Sequence, residues 1–142
     1  MIRSLDDLGD AYWSGTPEGR EGLFQLLRAR ADLRAQLRGS FVRVARRLRS
    51  TGEAVWLRRA FAIVDLAERD ADERDSIVTL LLLRHEAERA GIDAVAILDE
   101  MVRMASAGMR AVFANARDHS PADIAYTVRA FGELGARRLV IG

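Results

Sequence analysis

The chain has 142 residues, 49% of them apolar and 30% charged, with a formal net charge of +1; that is the balance of an ordinary globular domain long enough to bury one core. Cysteine is absent, which excludes disulfides, thiolate nucleophiles and cysteine-based zinc sites. All 22 basic residues are arginine, so chemistry that needs a lysine, such as a Schiff base or a P-loop, is excluded as well.

Ala, Leu and Arg dominate and only two prolines occur, a mix that favours helix almost throughout. Ser4 with Asp7 three residues later reads as a cap for a short helix over 5–13. Thr16 and Pro17 cap and open a second helix, with Leu23, Phe24, Leu26 and Leu27 as its apolar residues. A third helix spans about 32–49, its stripe made by Leu33, Leu37, Phe41, Val44 and Leu48. Six arginines (34, 38, 43, 46, 47, 49) spread over its other face, and Gly39-Ser40 is expected to weaken it midway.

The fourth helix, 53–68, is apolar on most sides, as in the middle of a domain. Trp56 shares a stripe there with Ala60, Ile63 and Ala67, and is expected to be a core residue. Asp70 to Glu73 form an acidic turn into a fifth helix, 73–90, again nearly continuous in apolar content, with Gly91 as its stop. Asp93 opens a helix to about Met104, Gly108 interrupts, and the pattern resumes over 109–117. Ser120-Pro121-Ala122-Asp123 combines a cap, an N1 proline and an N3 acid, and starts a last helix buried through Ile124, Val128 and Phe131. Leu139, Val140 and Ile141 make a short apolar tail. The expected product is one all-α domain over 1–142 with seven to eight short helices. An irregular HEAT-like or armadillo-like α-solenoid ranks above an orthogonal helical bundle, because helix–turn–helix units recur about every 40 residues.

Reactive constellations are scarce. His85-Glu86-Ala87-Glu88-Arg89 has an arginine where a zinc protease helix needs its second histidine. His85 falls on an apolar face and reads as a core-edge residue, and His119 as a surface or capping one. No serine has the flanks of a nucleophile elbow, and Asp6-Asp7 and Asp99-Glu100 are neighbours that diverge on a helix. The glycine-rich stretch 15–22 carries acids and no Lys-Ser/Thr ending, and reads as a mobile loop. No catalytic residue, metal site or cofactor is expected. Neither a signal peptide nor an apolar run near the roughly 20 residues of a membrane span is visible, so a cytoplasmic location without membrane contact is the default.

Charge segregation is the strongest functional signal. Between Arg20 and Arg59 stand eleven arginines and three acids, a net +8, and between Asp65 and Asp75 six acids and two arginines, a net −4. The basic block either meets an acidic partner or phosphates, pairs with the chain's own acids in 65–75, or is a solvated face. Its arginines cover more than half of the third helix and have no interleaved aromatics for base stacking.

Trp56-Leu57-Arg58-Arg59-Ala60-Phe61-Ala62, then Asp75, then Ala87-Glu88-Arg89-Ala90-Gly91-Ile92-Asp93 resembles a pattern in small all-helical, HEAT-like bacterial proteins of uncharacterised function. The resemblance covers about 40 central residues, implies the helical fold, and brings no site residues with it. The leading expectation is thus a non-enzymatic interaction module, an adaptor, regulator or inhibitor in the bacterial cytoplasm whose partner is another protein. The alternative is a nucleic-acid-associated protein that contacts phosphates through Arg34, Arg38, Arg43, Arg46 and Arg47. Self-association stays open.

Overall fold

In the computed structural model, residues 5–67 and 73–136 are described, and they are all-helical. Eight helices are found among them: α1 (Leu5–Ser14), α2 (Pro17–Ala29), α3 (Ala31–Thr51), α4 (Ala54–Ala67), α5 (Glu73–Arg89), α6 (Ala94–Met104), α7 (Arg110–Asp118) and α8 (Pro121–Ala136). The expected Ser4 cap, the acidic turn at 70–72 and the apolar tail at 139–141 lie outside the described residues.

The capping chemistry seen in the sequence sets several boundaries. The Thr16 hydroxyl accepts the Gly19 amide, with Pro17 at the first turn of α2. Asp93 accepts the Ala96 amide at the start of α6. Ser120 and Asp123 exchange reciprocal bonds at the start of α8. Gly52 and Gly91 end α3 and α5 at φ 65° and 82°, the left-handed region where glycine carries no steric penalty.

Two expectations fail here. Gly39-Ser40 does not interrupt α3, which runs unbroken for 21 residues. Ser40 turns its hydroxyl onto the Leu37 carbonyl at 2.7 Å, while Leu37, Val44 and Leu48 bury the helix on either side. Tertiary packing outweighs the glycine's cost of roughly 1 kcal/mol. The stretch 15–22 is not a loop, since α2 starts at Pro17 and takes both Gly19 and Gly22 into its first turns.

The core centres on α4 and α5. Every residue from Ala60 to Ala67 is buried, as is every residue from Leu80 to Arg84. α4 touches α1, α2, α3, α5 and α6, and α5 touches α3, α4, α6, α7 and α8. Phe61 of α4 meets Phe113 of α7 edge to face at 6.1 Å. Trp56 lies at the exposed start of α4 and is only partly buried, while Ala60, Ile63 and Ala67 of its stripe are fully inside. The indole instead carries the Arg59 guanidinium over its face at 4.7 Å.

Two buried ionisable side chains tie distant elements together. Arg84, 6% exposed, donates through Nη1 to the carbonyls of Ala116, Arg117 and His119. It thereby satisfies the C-terminal carbonyls of α7 from α5, and Glu88 takes its Nε. His119 is the C-cap of α7, with Nδ1 at 2.6 Å from the Asn115 carbonyl, a contact that requires the proton on Nδ1. His85 is half-buried at the core edge. Asp65, the other buried charge, belongs to the site.

Candidate functional site

The five arginines singled out on the third helix separate in space. Arg43, Arg46 and Arg47 line one shallow groove of about 450 Å³ along the outer side of α3, together with Gly39, Val42 and Ser50. Arg34 and Arg38 are not part of it. Arg38 donates its Nε to the Ala67 carbonyl at the end of α4, an internal structural bond. Arg43 reaches α1, where its Nη2 meets Asp6 Oδ1 at 2.7 Å. Arg46 and Arg47 are exposed, and Arg47 makes no side-chain bond among the described residues.

Among the described residues, counter-charges for the basic block come from α1, α5 and α6. Arg59 binds Asp10 through two nitrogens at 3.1 Å and approaches Asp6. The Asp10 carboxylate holds the Arg59 guanidinium above its ordinary value, against the opposing effect of partial burial. Arg58 binds Glu100 at 2.8 Å, and Arg49 lies 3.6 Å from Glu86. Trp13 completes the α1–α4 seam. Its indole nitrogen donates to the Arg58 carbonyl at 2.7 Å, and the Arg58 guanidinium stacks 4.6 Å from its ring.

Asp65 is held by partners of a different kind. It is fully buried and accepts the Tyr12 hydroxyl at 2.7 Å, the Ser106 amide at 3.1 Å and the Ser106 hydroxyl at 2.8 Å. One carboxylate so joins α1, α4 and the turn between α6 and α7. Charge-assisted bonds to both oxygens offset its desolvation. Composition reads Asp65 as the first member of an acidic run. The signal that could have found it is positional: a lone acid between Val64 and Leu66 in a helix apolar on all sides.

Beside that turn lies a cleft of about 430 Å³ between the start of α2 and residues 103–110. Arg20, Phe24, Arg103, Ser106, Gly108 and Arg110 are among its walls, and Glu21 is its one acid. Arg20 donates Nη1 to the Gly15 carbonyl at 2.7 Å, and Arg110 donates Nε to the Ala105 carbonyl at 3.0 Å. Arg103 pairs with Asp99 at 2.9 Å. No feature of the sequence brings these arginines together, because they meet only through the docking of two distant segments.

No group of three or more His, Cys, Asp or Glu able to hold a metal occurs among the described residues, and none of their helices is long and apolar enough to cross a membrane. No family model, curated protein or solved structure matches the chain.

Proposed function

We propose that the chain is a non-enzymatic helical interaction module of the bacterial cytoplasm, an adaptor, regulator or inhibitor that docks an acidic surface of another protein on the outer side of α3. The observation that carries this reading is the groove walled by Arg43, Arg46 and Arg47 around the partly buried Val42. Guanidinium forks suit carboxylates, and Val42, half-buried among them, adds one small apolar contact. Of the two architectures, the orthogonal bundle is favoured, since α4 and α5 each contact five other helices and a solenoid repeat contacts only its neighbours.

The nucleic-acid alternative is weaker because the five arginines do not form one phosphate-binding row: Arg43 is neutralised by Asp6, Arg38 reaches the Ala67 carbonyl, and neither Arg34 nor Arg38 joins Arg43, Arg46 and Arg47 on the outer side of α3.

Affinity capture from native lysate tests the proposal, run in parallel with the native chain and an Arg46→Glu/Arg47→Glu variant. A partner held by the native chain and lost with the variant is expected. Identical partners from both would overturn the assignment to α3. A duplex DNA complex that survives at ~150 mM salt and weakens steeply with added salt would turn the reading to nucleic acid.

A further inference from the structure

The arginines of this molecule fall into two classes. Those of the α1–α4 seam are neutralised: Arg43 by Asp6, Arg59 by Asp10, Arg58 by Glu100. Arg20 and Arg110 are fixed without being neutralised. Each hydrogen-bonds a backbone carbonyl five residues earlier, Gly15 for Arg20 and Ala105 for Arg110. Neither makes a carboxylate ion pair among the described residues. A carbonyl orients a guanidinium but leaves its full charge and most of its five donors available. Both arginines line the same cleft of about 430 Å³, and Arg103 adds a third guanidinium whose acid, Asp99, is shared with Arg117.

The turn on the opposite wall contributes as well. Ala107 and Gly108 line the cleft, and their amides donate to no acceptor among the described residues. Ser106, just before them, is anchored from below through both its amide and its hydroxyl to Asp65. The turn is therefore preorganised, and a bound ligand need not order it. Against three guanidinium groups stands Glu21 alone on the lining, and it accepts a bond from Gln25. The volume of about 430 Å³ is in the range of small-molecule sites.

We infer that the cleft between α2 and the α6–α7 turn binds a small oxyanion of charge −2 or more, held between Arg20 and Arg110. The shared chemistry is that of phosphate and of multivalent carboxylate, both matched by a guanidinium fork. Binding is independent of the α3 groove.

Calorimetric titration of the full chain at ~20 mM ionic strength tests this, with inorganic pyrophosphate in one arm and citrate in the other. Saturable 1:1 binding of at least one is expected, and the tighter of the two assigns the ligand to phosphate or carboxylate. Arg20→Gln and Arg110→Gln should each weaken it at least tenfold, while Arg46→Gln/Arg47→Gln leaves it unchanged. Arg103→Gln, whose side chain is 66% exposed, serves as a variant with little risk to folding and should also weaken binding. Amide NMR shifts on addition of ligand should concentrate at 106–110. No saturation by either probe at ~10 mM, or binding lost with the α3 variant and kept by the cleft variants, would overturn the inference.

Discussion

The buried carboxylate of Asp65 joins α1, α4 and the α6–α7 turn. Asp65 accepts from Tyr12 and Ser106 in full burial, and its removal strands those donors. Each buried donor left unmatched costs about 1–3 kcal/mol, so Asp65→Ala should lower stability by about 3 kcal/mol or more in chemical denaturation. A loss below about 1 kcal/mol would show that water replaces the carboxylate. Trp56 behaves differently. Because it is only partly buried, Trp56→Ala should cost about 2 kcal/mol rather than the ~3–5 of a fully buried aromatic. A melting curve separates these values. On the surface, the hydrogen bond from Arg30 holds Asp32 below the usual carboxylate range. Its folded value lies under the unfolded one, so the pair steadies the start of α3 at and above the ordinary carboxylate range. That contribution fades as pH falls through the lower folded value. An NMR titration should find the Asp32 midpoint depressed; an ordinary midpoint would show the pair open in solution. Both partners are exposed, and the effect on overall stability is small.

Among the helices, two glycines make opposite predictions. Gly39 faces open space in the middle of α3, and Gly39→Ala should stabilise by about 0.5–1 kcal/mol. Gly9 sits where α1 crosses α4, and an added methyl there would lie 3.2 Å from Arg59 Cγ. Arg59 has little room to yield, since Asp10 and Trp56 hold its guanidinium. Gly9→Ala should forfeit the helix-propensity gain and lower the melting temperature, and a rise equal to that of Gly39→Ala would show the seam to be loose. The helices themselves were legible because apolar spacing and capping residues act locally: Thr16, Asp93 and Ser120 bond within three residues of themselves. Gly39 was misleading because its local preference is overruled by the core beneath it.

At the scale of the whole molecule, the central pair α4 and α5 was visible from apolar content, since a helix without a polar face has to be surrounded. The candidate sites were legible only as an inventory of arginines. Arg43 and Asp6 are 37 positions apart, and Asp65 and Ser106 are 41 apart. No window of sequence reveals which guanidinium groups are neutralised and which are merely oriented. Tertiary docking makes that division, pairing Arg43 with Asp6 while Arg20 and Arg110 bond backbone carbonyls.

The all-arginine chemistry of the α1–α4 seam also decides how the protein meets alkali. A lysine network would lose its charge near pH ~10, whereas guanidinium groups keep theirs beyond pH ~12. The Arg59 pair, its guanidinium held above the ordinary value by Asp10, should therefore outlast mild base. Tyr12 is buried and donates its hydroxyl hydrogen to Asp65, and a phenolate there would confront a carboxylate at hydrogen-bond distance. Alkaline unfolding should accordingly begin at one proton. Tyr12→Phe gives up that hydrogen bond at neutral pH, yet its stability should decline less between pH ~9 and ~12 than that of the native chain.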